Sequence, residues 1–209
     1  MRTRIKFCGI TRIDDAHLAA SLGVDAIGFV FVPASLRCVE ATQASAIAVA
    51  LPPLVSLVAL FKDASAEQIK QVIATLRPQI LQFHGAEDAA FCQSFGLPYW
   101  KSVSMQQPAN FAVVQATHPQ AQALLLDSHG ADGMGGTGQV FDWTRIPSAS
   151  RQALILAGGL RPENVAQAVR IARPSAVDVS SGIEASPGVK DAARMRAFVE
   201  AVRRADHPL

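Results

Sequence analysis

Several features that would place the protein in a specialised class are absent from its sequence. Three cysteines, Cys8, Cys38 and Cys92, stand far apart in the 209 residues, so neither a disulfide framework nor a CxxC zinc site can be drawn from them. The 19 Lys and Arg residues nearly balance 17 Asp and Glu residues, which argues against a dedicated nucleic-acid binder. The basic start lacks the apolar stretch of a signal peptide, and a Pro-Pro pair divides the most apolar region, residues 47–61, into pieces shorter than the ~20 residues that span a bilayer. We therefore expect a cytoplasmic protein that binds neither nucleic acid nor membrane.

Half of the residues are apolar, and eight short apolar runs are separated by helical patterns. The runs are nearly continuous in Val, Ile, Leu, Phe and Ala rather than alternating. This pattern is typical of strands that are buried on both faces of a parallel sheet. The predicted strands cover residues 5–10, 26–32, 55–61, 80–84, 99–103, 121–127, 153–157 and 176–180.

The segments between the runs carry the apolar stripe of an amphipathic helix. Apolar residues recur at i, i+3, i+4 and i+7 in residues 69–76, 165–172 and 195–202. Ser65 and Gln68 fit a capping box, and Pro162 suits the first turn of a helix. The long, Gly-rich stretch after Asp127 has little room for a helix before the seventh strand.

Eight alternations of strand and helix in one modest chain predict an α/β fold, a single-domain (β/α)8 TIM barrel over residues 1–209 whose last few residues fray. An open, doubly wound sheet is the alternative. Eight units without a second domain favour the barrel. In a barrel, function gathers at the carboxyl ends of the strands, so the candidate site residues are sought there.

Three glycine-rich clusters follow strands six, seven and eight and predict a phosphate-binding site. Glycine lets backbone N–H groups approach an anion, and the loops after strands seven and eight are the usual phosphate cradle of barrels. One such cluster is commonly only a tight turn, but three at adjacent strand ends favour phosphate. The candidate residues are Gly136, Gly138, Gly158, Gly159, Ser180, Ser181 and Gly182. The GxGxxG match at residues 133–138 is not a dinucleotide fingerprint, because it neither follows its strand directly nor opens a helix.

Cys8 and Asp127, at the ends of strands one and six, are the candidate acid–base pair. If their faces of the strands look into the barrel, both side chains rim its mouth, with room for a small substrate between them. The alternatives are that Cys8 is only a small buried hydrophobic residue and that Asp127 caps a helix or anchors a loop. By the same alternation, Lys6 and Asp178 should point inward on neighbouring strands and lie within ion-pairing reach.

Other polar residues near the strand ends give weaker signals. Arg37 lies in the loop after strand two, where its guanidinium can either grip a carboxylate bidentately or remain solvated. His84, at the end of strand four, is more typical of a structural histidine than of a base or a metal ligand. His129, Asp127 and Asp132 have no recognisable metal spacing, so no metal is expected.

Sequence blocks at these strand ends together resemble one known family. The blocks are CGIT at residues 8–11, SLR at 35–37, QFHG at 82–85, LLLD at 124–127, GGTG at 135–138, AGGLRPEN at 157–164, VDVSSG at 177–182 and SPGVKD at 186–191. In this order they resemble the phosphoribosylanthranilate isomerase family of tryptophan biosynthesis over all of the chain except its tail. The family often has Pro and Tyr around the arginine, where this chain has Leu36 and Cys38.

The resemblance implies a barrel that converts N-(5-phosphoribosyl)anthranilate to 1-(2-carboxyphenylamino)-1-deoxyribulose 5-phosphate by an Amadori rearrangement, without cofactor or metal. It implies that Cys8 is the general base, that Asp127 is the general acid and that Arg37 holds the anthranilate carboxylate. The partner would be this small phosphorylated sugar, and the protein a monomer or a homodimer. Cys8 would have to act as a thiolate, so we expect a lowered pKa, with the N-terminus of the first helix as its candidate cause.

Two other functions stay open on the sequence. One is another phosphate-binding barrel enzyme, an epimerase or a synthase, although the metal-binding His and carboxylate residues or the catalytic Lys of those enzymes are not found at the strand ends. The other is a non-catalytic barrel that acts as a binding module. The presence of both Cys8 and Asp127 argues against it.

Overall fold

Eight parallel strands pair in chain order, and the last pairs with the first, so the sheet closes into a barrel. The computed structural model describes residues 2–106, 109–128, 140–147 and 150–206. The strands are β1 (Arg4–Cys8), β2 (Ala26–Val30), β3 (Ser56–Phe61), β4 (Ile80–Phe83), β5 (Tyr99–Ser104), β6 (Ala123–Asp127), β7 (Ala153–Leu156) and β8 (Ala176–Val179). Each falls on one predicted run, which confirms the barrel and excludes the open sheet. The final residues that were expected to fray lie outside the described part of the chain.

Helices follow most of the strands and cover the outside of the barrel. In the described residues they are α1 (Ile13–Ser21), α2 (Ala41–Val49), α3 (Ala66–Leu76), α4 (Ala89–Gln93), α5 (Ala109–Thr117), α6 (Val165–Ala172) and α7 (Ala192–Asp206). Between β6 and β7 the described residues contain only a 3-10 turn, Trp143–Arg145, where the sequence left little room for a helix. Across the described ranges, no helix is both long enough and apolar enough to cross a membrane.

The starts of two helices show how local sequence sets their bounds. At α3 the predicted capping box is confirmed, since Ser65 Oγ accepts the Gln68 N–H and the Gln68 side chain accepts the Ser65 N–H. Helix α6 begins later than Pro162 predicted. The side chain of Asn164 accepts the N–H of Arg161, which holds Pro162 in a turn ahead of the first helical residue, Val165.

Inward and outward side chains of the strands form separate cores. The larger core lies between sheet and helices and includes the fully buried Phe7, Phe29, Phe61 and Phe83. Inside the barrel, a smaller apolar layer is formed by Ala123, Leu125, Ile155 and Ala157 with Trp100 and Ala176 packed against it. Because this apolar layer lies inside the barrel, it forms a nonpolar base beneath the polar side chains at the carboxyl ends of the strands.

A short antiparallel hairpin that was not predicted follows β8. Its strands are β9 (Glu184–Ser186) and β10 (Val189–Lys190). Gly188 turns the chain with a φ of +79°, in the left-handed region that glycine adopts most easily. Thr11 Oγ1 donates to the carbonyl oxygen of Gly188 at 2.5 Å, which attaches the hairpin to the loop after β1.

Candidate active site

A cavity of about 290 Å³ opens at the carboxyl ends of the strands. Its lining includes most of the residues that the sequence singled out: Cys8, Arg37, Asp127, Gly158, Gly159, Ser180 and Ser181. Gly182 packs against the backbone of the loop after β7, where a Cβ would overlap the carbonyl oxygen of Leu160. Gly136 and Gly138 lie outside the described residues. The strand ends that carry Cys8 and Asp127 and the loop that carries Arg37 therefore meet at one cavity.

A buried ion pair lies inside the barrel beneath Cys8. Lys6 Nζ is 2.9 Å from both carboxylate oxygens of Asp178, and the two residues are partners in the register of β1 and β8. This confirms the predicted inward pair. A Cβ on Gly28 of β2 would lie 2.9 Å from both Lys6 Nζ and Cys8 Sγ, so the absence of a side chain there leaves the space in which the ammonium and the thiol meet.

The electrostatics of Cys8 differ from the expectation. Burial raises the pKa of the Cys8 thiol above its ordinary value, and the nearby Lys6 ammonium is the main influence that opposes this rise. The expected lowering of the Cys8 pKa is therefore wrong. The helix α1 begins at Ile13, after the loop that follows Cys8, and a contribution from its N-terminus stays a prediction. The positive charge comes from Lys6, with a smaller contribution from Lys190.

The Lys6 ammonium is itself held by its partner. Burial alone would lower the pKa of Lys6, but the Asp178 carboxylate and, to a smaller extent, Cys8 together outweigh burial and the pKa is raised. The side chain is only 2% exposed. Lys6 therefore places a positive charge next to Cys8.

Asp127 ends β6 and is buried at the wall of the cavity. Gly158, with a φ of +78°, lies so near that a Cβ there would be 2.6 Å from Asp127 Oδ1. Glycine at this position is required both by the backbone conformation and by the contact. Burial raises the pKa of the neighbouring Asp178 carboxyl, and the nearby Asp127 makes a smaller contribution to that rise.

Arg37 reaches the cavity from the loop after β2, and its side chain is 15% exposed. One edge of its guanidinium is already occupied by the protein: Nε donates to Glu184 Oε1 at 2.8 Å and Nη2 donates to Oε2 at 2.6 Å. The planar group has a second edge, formed by Nη1 and Nη2, that can bind a further carboxylate. A carboxylate-binding role for Arg37 stays a prediction and would use this second edge.

Two charged residues of the site, Glu184 and Lys190, were missed by sequence reasoning. Both lie on the hairpin β9–β10, and Lys190 Nζ is 2.8 Å from Glu184 Oε1. The sequence did offer a signal, a Ser-Pro-Gly turn at residues 186–188 between two short segments that each carry a charge. The contact of Glu184 with Arg37 could not be inferred, because these two residues are far apart in the chain.

The loops after β7 and β8 form the part of the cavity wall that the glycine-rich sequence clusters predicted to bind phosphate. Gly158 and Gly159 have φ values of +78° and +64°, and the contact of Gly182 with Leu160 brings the two loops together. Ser181 begins a 3-10 turn, whose first N–H groups have no acceptor within the turn itself. Gly158, Gly159, Ser180 and Ser181 line one part of the cavity, where backbone N–H groups and serine hydroxyls can bind phosphate. This role stays a prediction.

His84 also lines the cavity, in hydrogen-bond contact with the side chain of Gln82. The sequence favoured a structural role for His84, and its contact with Gln82 agrees with that role. His84 also lies on the cavity wall, where it can contact a substrate. Among the described side chains, no three from His, Cys, Asp and Glu group in a way that could hold a metal ion. His129 and Asp132 lie outside the described ranges.

Comparison with known proteins finds one family. A sequence model of the family described as N-(5'phosphoribosyl)anthranilate (PRA) isomerase matches residues 5–201. The N-(5'-phosphoribosyl)anthranilate isomerase of Stenotrophomonas maltophilia (strain R551-3) is 52% identical over 207 residues, which are 98% of this chain and 95% of that protein. The enzyme of the same name from Xanthomonas euvesicatoria pv. vesicatoria (strain 85-10) is 49% identical over 211 residues, with coverage of 98% and 95%.

Solved structures are similar over nearly the whole chain. Phosphoribosyl anthranilate isomerase from Thermus thermophilus superposes with a TM-score of 0.87 at 38% identity, covering 96% of this chain and 98% of that one. Another phosphoribosyl anthranilate isomerase, in complex with reduced 1-(o-carboxyphenylamino)-1-deoxyribulose 5-phosphate, has a TM-score of 0.82 at 33% identity with the same coverage. The sequence and the fold of this chain therefore resemble the same family of isomerases.

Proposed function

The chain belongs to the N-(5'-phosphoribosyl)anthranilate isomerase family, and we propose from this premise that Asp127 and Cys8 are the acid and base of its reaction. It is an isomerase of tryptophan biosynthesis, which converts N-(5-phosphoribosyl)anthranilate to 1-(2-carboxyphenylamino)-1-deoxyribulose 5-phosphate. The observation that carries the proposal is that both side chains line one cavity at the carboxyl ends of the strands. In barrel enzymes this end holds the chemistry.

The first chemical step opens the ribose ring. Asp127, in its protonated form, donates a proton to the ring oxygen while the bond between this oxygen and C1 breaks. The lone pair of the anthranilate nitrogen forms the C1=N bond of an iminium ion, and Asp127 is left as a carboxylate. The position of Asp127 on the cavity wall, at the carboxyl end of β6, supports this role.

The second step removes the proton from C2, which the iminium ion has made acidic. Cys8, as a thiolate, takes this proton, and the electrons of the C–H bond neutralise the iminium nitrogen to give an enaminol. The enaminol becomes the ketone by losing its hydroxyl proton and gaining a proton at C1. Lys6 supports the step, because its ammonium stabilises the thiolate in a buried site. Both steps exchange protons between enzyme and substrate and rearrange bonds within one substrate molecule without net oxidation or reduction, so the proposed chemistry requires no cofactor.

We also propose that the two charged ends of the substrate bind at different parts of the cavity wall. The loops that carry Gly159 and Ser181 would bind the phosphate through backbone N–H groups, and the free edge of Arg37 would bind the anthranilate carboxylate. The related isomerase that was solved with a carboxyphenylamino ribulose phosphate holds a molecule with these same two anionic ends. This likeness supports the arrangement.

The test is an assay of the purified protein with phosphoribosylanthranilate, followed by the loss of its fluorescence. We expect turnover by the intact protein and at least ~10²-fold slower turnover by Cys8→Ala and Asp127→Asn, the scale of general acid–base catalysis. Glu200→Gln serves as a control, because Glu200 is an exposed residue of α7 outside the cavity lining. Near-normal turnover by either site variant would remove that residue from the mechanism, and turnover only of another phosphorylated sugar would favour a different barrel enzyme.

We propose the cytoplasm as the place of action. Cys8, Cys38 and Cys92 are all free thiols, and the mechanism needs Cys8 reduced, which a reducing compartment ensures. The proposed mechanism places every acting residue in one chain, so it is compatible with either a monomer or a homodimer. Light scattering of the purified protein distinguishes the two.

A further inference from the structure

We propose that Glu184 is a positioning residue, which fixes Arg37 so that its free edge faces the substrate carboxylate. The inference rests on the proposed function, in which Arg37 binds that carboxylate. It goes further by assigning a role to an acidic side chain that would otherwise repel the negatively charged substrate. Three independent sets of contacts support it.

The first set is the contact between the two side chains. Glu184 takes the Nε–Nη2 edge of Arg37 through two hydrogen bonds of 2.8 and 2.6 Å, so the guanidinium plane is fixed rather than free to rotate. Only the Nη1–Nη2 edge then remains for a ligand. Arg37 in turn holds the pKa of the Glu184 carboxyl below its ordinary value, so Glu184 stays charged throughout the neutral range.

The second set anchors Glu184 itself. Lys190, whose side chain is fully buried, donates to Glu184 Oε1 at 2.8 Å, to the Cys8 carbonyl oxygen at 2.7 Å and to the Ser180 carbonyl oxygen at 3.1 Å. Its ammonium therefore ties the carboxylate to the end of β1 and to the loop after β8. In this way Lys190 and Glu184 fix the position of Arg37 relative to the end of β1, next to the proposed base, and to the loop after β8, next to the proposed phosphate site.

The third set packs the stem of Arg37. A Cβ on Gly9, whose φ is +68°, would lie 2.7 Å from Arg37 Cδ and 2.9 Å from Ser180 Oγ. Only a residue without a side chain lets the arginine lie this close to the backbone after Cys8. Arg37 is thus held both along its stem and at one edge of its head. Such preorganisation matters because misplacing a binding group by about 1 Å can cost ~10²-fold in rate.

The experiment compares two substrates in three variants. Kinetics of the intact protein, Arg37→Ala, Glu184→Gln and Glu184→Asp are measured with phosphoribosylanthranilate and with the analogue whose aniline ring lacks the carboxylate. Glu184→Gln removes the charge, whereas Glu184→Asp keeps the charge but shortens the side chain, which should break the two-point contact with Arg37. The exposed Glu200, which pairs with Arg204 on α7, supplies the matched control Glu200→Gln.

We expect both Glu184 variants to lower kcat/KM for the natural substrate by roughly 10-fold or more and to change the value for the analogue little. Adding Glu184→Gln to Arg37→Ala should cost almost nothing further, because the two residues act as one unit. Thermal unfolding establishes that each variant is folded, and Glu184→Asp carries the test if Glu184→Gln does not fold.

The outcomes separate the inference from the function on which it rests. If Arg37→Ala costs as much with the analogue as with the natural substrate, Arg37 does not bind the carboxylate and the assignment of Arg37 fails. If Arg37→Ala distinguishes the substrates but both Glu184 variants lower activity equally on each, Glu184 has only a structural role and the inference is wrong. An additive loss in the double variant would overturn it as well.

Discussion

Two buried lysine–carboxylate pairs lie on opposite faces of the same sheet. Inside the barrel, Lys6 Nζ is 2.9 Å from Asp178; between the sheet and the helices, Lys101 Nζ is 2.8 Å from Glu87. Both pairs are almost completely shielded from solvent. Their chemistry and burial are nearly the same, so the surroundings of each pair must decide what it does.

Each pair also has a buried cysteine near it. Lys6 lies beside Cys8, which lines the cavity, whereas Lys101 acts on Cys92 of α4, which belongs to the core between sheet and helices. Burial raises the pKa of Cys92 to about 12, and the positive charge of Lys101 offsets only part of that rise. The Cys92 thiol therefore stays protonated and has no access to a substrate. A lysine beside a cysteine is thus not by itself a catalytic arrangement.

The outer pair has a structural task that its contacts make plain. Glu87 accepts the N–H groups of Asp63 and Gly85, at 2.7 and 2.9 Å, and Lys101 donates to the Gly85 carbonyl oxygen at 2.8 Å. These bonds tie the loop after β3 to the loop after β4. The inner pair instead faces the cavity, through Asp178, and the proposed base. Position on the inward or outward face of a strand separates the two roles.

The largest expected difference between the two regions is in the thiols. Cys8→Ala should lower kcat by at least ~10²-fold, because it removes the base, with thermal unfolding little changed. Cys92→Ala should leave kcat of the folded enzyme within about twofold and destabilise the protein through a small buried cavity. Steady-state kinetics with substrate and thermal unfolding of both variants make the comparison. Equal losses of kcat in the two variants would show that the inward cysteine has no special role.

Removal of one member of the outer pair should act on stability. Lys101→Met leaves Glu87 buried without its ammonium partner, which should lower the free energy of unfolding by about 3–5 kcal/mol. Urea denaturation measures this loss. At a temperature where the variant is folded, kcat should stay near that of the intact protein, and a specific loss of kcat there would mean that the outer pair also serves the chemistry.

Removal of the whole inner pair should act on the pH dependence of activity. Replacing both members, Lys6→Met with Asp178→Asn, avoids an isolated buried charge, so the stability should change little. Loss of the Lys6 ammonium, which lowers the pKa of Cys8, outweighs loss of the Asp178 charge, which raises it, so the pKa of Cys8 rises further and the ascending limb of kcat/KM should move to higher pH. At neutral pH this lowers kcat/KM. In the matched double variant, Lys101→Met with Glu87→Gln, the ascending limb of kcat/KM should stay at the same pH as in the intact protein.

Much of this comparison was accessible from sequence, because it follows from strand register. Continuous apolar runs predicted the strands, and alternation predicted that Lys6 and Asp178 would meet inside the barrel and that Cys8 would stand above them. The charge on Cys8 was not predictable in the same way. Its pKa depends on burial, which reflects the packing of the whole site rather than the local sequence.

The same limit explains why Glu184 was missed. Its partner Arg37 is distant in the chain, and the two meet because the hairpin β9–β10 lies over the end of β1. Short charged segments around a turn carry no apolar periodicity from which a strand could be inferred. The roles of the residues in the loop after β6 stay predictions, since Gly136 and Gly138 fall outside the described residues.

The most direct test of the central claim, that Asp127 opens the ring and Cys8 then removes the C2 proton, is the isotope effect with substrate deuterated at C2. Cys8→Ser weakens the base, so C–H cleavage should limit the rate and the primary isotope effect on kcat should be fully expressed. Asp127→Asn slows the earlier ring opening, so the isotope effect should be suppressed towards unity. A full isotope effect in Asp127→Asn together with a suppressed one in Cys8→Ser would contradict the assignment of the two roles.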